Sequence, residues 1–273
     1  GMRIRLIIII LMALVATSCG EYEKLLKSGD FELKKQKVYD YYDDGKYTKS
    51  IELLTQILPR YRATDEAEQL NWINAQAHYK IRDYMMAGTY YQNFADTYPG
   101  SNNAEEASYL SALCDYNMSP RPELDQAYTR KAIESFTIFM QRYPTSTRVE
   151  DCKAKVLELQ EKLVEKSYLS ARLYYDLKQY RAATVSLANS LKEYPDTKYR
   201  EELMFLKLDA LYLYAEMSIP ARKVERFQTT LDEYYSFIEE FPQSKYSKDV
   251  KRIFDNTAKF LNVDTTVQQT EIN

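Results

Sequence analysis

One histidine, three cysteines and a spread of carboxylates are the groups in this 273-residue chain that could do chemistry. A Ser/His/Asp triad needs a base and an orienting group fixed around a nucleophile, and a histidine metal site needs further ligands beside it. His78, in "QAHYKIRDY", has no such company in the sequence, so a surface or core place is expected for it. The six glycines are scattered, and none belongs to a phosphate-cradling loop. Carboxylates alternate with lysines in the manner of solvated helix faces rather than of an acid–base pair. No catalytic residue, metal or cofactor is expected, and the chain does not read as an enzyme.

Cys19 stands apart because of what precedes it. Gly1 before Met2 reads as a cloning scar. Arg3 and Arg5 make a short basic region, Leu6 to Val15 are ten uninterrupted apolar residues, and "ATS" leads into Cys19. A spanning helix needs about 20 apolar residues, so residues 1–18 are expected to be a secretory signal peptide. The junction resembles the lipobox of bacterial lipoproteins, whose cysteine is acylated after cleavage, although Ala16 stands where leucine is commonest. Several acyl chains, each contributing about 0.8 kcal/mol per buried methylene, anchor durably. Cys19 is therefore the expected lipid attachment point, on a linker over 19–30. Gly20 rather than Asp follows it, which favours the outer membrane. Removing Arg3 and Arg5 from the 37 basic residues leaves 35 against 40 acidic, a net charge of −5 with no block of one sign. Nucleic acid is not an expected partner.

The elements that must position these residues repeat. "FADTYPGS", "FMQRYPTS", "SLKEYPDT" and "FIEEFPQS" each carry an aromatic, a proline, and Ser or Thr two residues later. The prolines, Pro99, Pro144, Pro195 and Pro242, lie 45, 51 and 47 residues apart. Each should stop one helix, with Ser101, Ser146, Thr197 and Ser244 capping the next. Counting back from each aromatic gives an apolar stripe: Tyr84, Ala87, Tyr91; Thr129, Ala132, Phe136; Tyr180, Ala183, Leu187; Phe227, Thr230, Tyr234. Tyr47, Ser50 and Leu54 repeat it before Tyr61. Such steps place each set on one helical face. The spacing resembles the second helix of a tetratricopeptide repeat. It predicts an all-α fold of about five helical hairpins stacked as a right-handed superhelical solenoid. "NMSPRPELDQ" and "MSIPARKVER" interrupt the third and fifth hairpins, and residues 148–177, free of Gly and Pro, predict a long linking helix. The expected organisation is repeats one to three over 31–147, repeats four and five with the linking helix over 148–260, and a disordered tail over 261–273.

First helices align without gaps to set Trp72 against Tyr109 and Tyr168, and Tyr79 against Tyr42, Tyr116 and Tyr175. In the tetratricopeptide family these positions face the concave side. Aromatics at helical spacing are also what core packing produces, but tyrosine recurring in one column suits a partly exposed groove. Tyr42, Trp72, Tyr79, Tyr109 and Tyr116 are the candidate peptide-binding residues. Cys152 lies eight residues after its proline and Cys114 fifteen. A seven-residue helical offset of about 10 Å exceeds the roughly 7 Å allowed between bridged Cα atoms, so both thiols are expected buried and free.

The assembled pattern resembles the BamD family, the tetratricopeptide lipoproteins of the bacterial outer-membrane β-barrel assembly machinery. In "SPRPELDQAYTRKAIESFTIFMQRYP", Asp125-Gln126, Thr129, Ala132, Phe139 and Tyr143-Pro144 match the family's third repeat. "ARLYYDLKQYRAATVSLANSLKEYPDT" is the next best match, and the resemblance covers nearly all of the chain beyond Cys19. It implies a non-enzymatic scaffold held by its lipid on the periplasmic face of the outer membrane. It implies docking of the later repeats, with Tyr168, Arg172 and Tyr175, on periplasmic domains of the barrel subunit BamA. It also implies contact of the earlier repeats with unfolded barrel precursors. The tyrosine content and the uncharged tail depart from the family. Three other readings stay open: an envelope lipoprotein whose repeats coordinate other periplasmic partners; a SusD-like glycan-binding lipoprotein, for whose large extra loops this chain has no room; and a lytic transglycosylase with a helical superhelix, whose separate catalytic domain with a glutamate acid is not seen in the sequence.

Overall fold

In a computed structural model, residues 2–262 are described, and among them the secondary structure is twelve α-helices with no strand. They run α1 Met2–Lys27, α2 Phe31–Asp43, α3 Tyr47–Tyr61, α4 Ala67–Lys80, α5 Tyr84–Thr97, α6 Ala104–Met118, α7 Ala127–Arg142, α8 Val149–Asp176, α9 Tyr180–Glu193, α10 Arg200–Glu216, α11 Pro220–Glu240 and α12 Ser247–Leu261. The chain is all-α, a helical-repeat fold of tetratricopeptide type. It divides into two compact units: Gly1–Ser119 with Ala127–Leu157, and Pro120–Gln126 with Glu158–Asn273.

The stripe read from the prolines is what holds each hairpin together. Its small residues, Ser50, Ala87, Ala132, Ala183 and Thr230, are all fully buried, as are Leu54, Tyr91, Phe136 and Leu187 one turn on. Fully burying a large apolar side chain contributes about 1.5–3 kcal/mol. A missing side chain permits the closest approach: a Cβ on Gly88 of α5 would lie 3.1 Å from that of Cys114 in α6. Here Ser111 donates a 2.9 Å hydrogen bond to the Gly88 carbonyl.

Helix stops fall where the prolines put them, at Thr97, Arg142, Glu193 and Glu240. The starts do not follow the expected caps. The hydroxyls of Ser101, Ser146, Thr197 and Ser244 accept from the backbone N–H two residues on, at 3.0–3.2 Å. Each closes a turn ahead of a helix that begins three residues later; the proline turn needs its own local partner before the helix can start. The fifth hairpin is also less interrupted than its sequence implies. Only Met217–Ile219 separate α10 from α11, because Pro220 sits in the first turn of α11, where its missing N–H has no intrahelical partner to lose. The long linking helix is α8, 28 residues without a break.

α1 is continuous through Cys19, which is exposed, and among the described residues no helix is long and apolar enough to cross a membrane. Of the tail expected over 261–273, residues 263–273 lie outside the described residues. Cys114 and Cys152 are fully buried and unpaired. Burial pushes their thiols up, to about 12 and about 11. Native protein should therefore resist alkylation at both positions, and its intact mass should not change on reduction. A two-dalton gain on reduction would mean that they are bridged.

Candidate interaction face on the first helices

The two aromatic positions of each first helix are placed by the stripe behind them. In the first unit, Trp72 packs inward, 8% exposed, with its ring 5.3 Å from Phe94 and 5.7 Å from Tyr91. Tyr79 is half-buried, edge-on to Tyr84 and Tyr91. Tyr42 is half-buried against Tyr47. Tyr109 and Tyr116, also half-buried, both lean on Phe136, and Tyr109 on Phe139 as well. In the second unit Tyr168 is 8% exposed and Tyr175 is half-buried, edge-on to Tyr180. All of these rings but that of Tyr168 therefore rest on a ring of the second helix of their own hairpin. In both units Tyr42, Tyr79, Tyr109, Tyr116 and Tyr175 keep a partly open face, whereas Trp72 and Tyr168 do not.

Their hydroxyls do something that the spacing alone did not reveal. Several reach forward to the first helix of the following hairpin. Tyr109 donates to Asp151, which Lys155 also holds at 2.8 Å; Tyr168 donates to Glu202 at 2.8 Å and Tyr175 to Asp209 at 2.5 Å. The Lys155 ammonium lies 5.3 Å from the centre of the Tyr116 ring. Lys155 and Tyr109 together hold the Asp151 carboxyl below the usual carboxylate range, whereas burial raises that of Asp209. The Arg172 side chain is exposed. It donates to Tyr168 Oη at 2.8 Å and to Glu202 at 2.7 Å, and pairs with Asp176 at 3.5 Å.

A second contact closes these joints and two others, through partners that the sequence did not single out. Positions 35, 72 and 109, and again 168 and 205, recur at 37-residue steps on first helices. Four of them meet the residue five places beyond the aromatic that ends the hairpin. Lys35 forms an ion pair with Glu66 at 2.8 Å. Arg148 lies over Tyr109, 5.5 Å from the ring centre. Tyr199 stacks flat on Tyr168, centroids 3.8 Å apart and planes 7° off parallel, and Tyr246 stacks on Phe205 at 4.2 Å and 2°. Beside two of these joints a turn serine donates back to a first-helix glutamate, Ser146 to Glu105 and Ser244 to Glu201. The repeated aromatic at Tyr199 and Tyr246 was the available signal.

His78 is a core residue of the first unit. Its ring lies 5.0 Å from that of Tyr90, and Nδ1 is 3.0 Å from Asp83, whose other oxygen caps α5.

Residues 34–227 match the family described as YfiO, outer membrane lipoprotein. The chain belongs to this family. Among curated relatives, it is 23% identical over 184 residues to the outer membrane protein assembly factor BamD of Caulobacter vibrioides, covering 67% of this chain and 60% of that protein. It is 24% identical over 222 residues to the putative outer membrane protein assembly factor BamD of Aquifex aeolicus, covering 81% and 69%. The BamD of Neisseria gonorrhoeae is 25% identical over 193 residues, covering 65% and 72%. The YfiO match begins in α2 and ends in the first half of α11, so it takes in four hairpins and part of the fifth, with every clamped joint except the one closed by Tyr246.

Proposed function

We propose that this YfiO-family chain is a non-enzymatic scaffold in the assembly of outer-membrane proteins, anchored by acylated Cys19 on the periplasmic face of the outer membrane. The observation that carries this reading is the family match across the hairpins that bear the aromatic column. In it, Tyr42, Tyr79, Tyr109 and Tyr116 offer their open faces to an extended segment of an unfolded barrel precursor. Trp72 supports them from the core through Tyr91, on which Tyr79 rests. Tyrosine suits that task because a wide apolar ring is presented with a hydroxyl that stays hydrogen-bonded. In the second unit, the partly open Tyr175 and the exposed Arg172 side chain dock a periplasmic domain of a BamA-like barrel subunit, while buried Tyr168 holds Arg172 through its hydroxyl.

Two binding measurements test it. Truncating an aromatic interface anchor costs about 1–3 kcal/mol, so Tyr79→Ala should weaken binding of a barrel carboxy-terminal peptide by about tenfold. Tyr175→Ala should leave that peptide's affinity unchanged and weaken capture of the BamA-like periplasmic domains. Equal peptide affinity for wild type and Tyr79→Ala would return the column to a purely packing role. A pull-down from detergent-solubilised outer membrane that recovers other envelope partners, and no barrel subunit, would favour the coordinator reading instead.

A further inference from the structure

Three residues beyond Cys19 the chain is already fixed to the first hairpin. Tyr22 is 8% exposed, donates its hydroxyl to Glu52 of α3, and meets Tyr41 edge-on at 5.7 Å and 86°. The Lys49 ammonium lies 4.9 Å from the Tyr22 ring centre and 5.5 Å from that of Tyr41, and Lys46 lies 6.0 Å from Tyr41. Leu25 joins the first core, with Leu26 packed against it. The Leu26 carbonyl, in the last turn of α1, accepts from buried Lys34 at 3.1 Å and from Gln56 at 3.2 Å. An ammonium at that end complements the helix dipole. Glu21, Glu23 and Asp40 also face the two tyrosines, so this cluster is not a basic patch.

Residues span at most about 3.3–3.6 Å each, so Cys19 lies within about 11 Å of Tyr22 however the chain between them bends. We infer that the α2/α3 hairpin is held directly against the phospholipid surface, with Tyr22, Tyr41, Lys46 and Lys49 at the level of the headgroups. This rests on the acylation of Cys19 in the function proposed above. Tyrosine rings sit at that boundary because one edge is apolar and the other wet, and lysine stems extend along apolar surface to bring the ammonium to phosphate oxygens. The lipid then sets the height of the first hairpin above the bilayer instead of tethering it loosely.

The test uses the full acylated protein in zwitterionic phospholipid vesicles, with Lys46→Cys carrying a fluorophore and headgroup spin-labelled lipid as quencher. Cys114 and Cys152 are buried and Cys19 is acylated, so the label goes to the new thiol. Asn102→Cys, in the α5–α6 turn at the opposite end of the hairpins, is the reference. The two positions are about one 14-residue helix apart, about 20 Å, so quenching at position 46 should exceed that at 102 by at least about threefold. Inserting about 20 Gly/Ser residues between Gly20 and Glu21 should keep flotation with the vesicles and bring position 46 down to the reference. Tyr22→Ala should move it the same way. Equal quenching at the two positions in protein that is acylated and floats overturns the inference and leaves the anchor standing. A mass showing no acyl group on Cys19, with no flotation, overturns the anchor and this inference together.

Discussion

Trp72→Ala should lower the stability of the first unit by about 3–5 kcal/mol, the usual cost of emptying a buried indole site. The ring is wedged between Phe94 and Tyr91, and Ala75 and Ala87 of the same cluster are too small to fill the space it leaves. Urea unfolding of the full chain, followed by circular dichroism, should show unfolding of the first unit shifted to lower denaturant with little change in its slope. Trp72→Phe should recover roughly half of the loss, since most of the apolar contact remains. An unchanged midpoint for Trp72→Ala would place the indole outside the core. Loss of peptide binding in this variant reports an unfolded hairpin, which is why Tyr79→Ala is the cleaner probe of the groove.

Tyr199→Ala should destabilise the second unit by about 2–3 kcal/mol. Aromatic pairs contribute about 0.5–1.5 kcal/mol beyond the area they cover, and the exposed face of Tyr168 adds the rest. The stack is flat and close, and it spans the joint between the fourth and fifth hairpins. Tyr199→Phe keeps both rings in place and should be nearly neutral. Arg148→Ala, at the equivalent joint of the first unit, should lose less, because a partly exposed cation over a ring is worth about 0.5–1 kcal/mol. Scanning calorimetry of the three variants decides the order. An effect of Tyr199→Ala no larger than that of Arg148→Ala would mean that the stacked pair adds nothing to the joint.

The hairpins were legible in the sequence because their determinants are local. Pro99, Pro144, Pro195 and Pro242 each follow a helix end, although Pro59 is accommodated inside α3, and Ala87, Ala132 and Ala183 mark the stripe through size alone. Turn chemistry was harder to read: a serine two residues after proline suits a cap or a closed turn equally, and only the backbone path decides. The aromatics aligned by spacing all lie on first helices. Which rings stay open was not readable, because Trp72 and Tyr79 lie two turns apart on one helix and differ only in what the second helix places beneath them. The joint partners were missed for a different reason. Glu66, Arg148, Tyr199 and Tyr246 share a position and three kinds of chemistry. An ion pair, a cation over a ring and two stacks satisfy one geometric demand, so a search by residue type can catch the repeated tyrosine and passes over Glu66 and Arg148.

Those unlike fastenings give the two units different mechanical responses to their medium. The first joint is closed by Lys35 and Glu66, with the glutamate side chain 46% exposed, and ions screen such a pair within a Debye length of about 8 Å at physiological salt. The stacks made by Tyr199 and Tyr246 hold no charged group and are not screened, although the Arg172–Glu202 pair beside the first of them is. Raising ionic strength should therefore weaken the fastening between the first and second hairpins more than the stack of Tyr246 on α10. In the proposed function, a client laid across the early hairpins would meet a surface whose compliance the surroundings adjust, and one seated on α10 to α12 a surface that responds less.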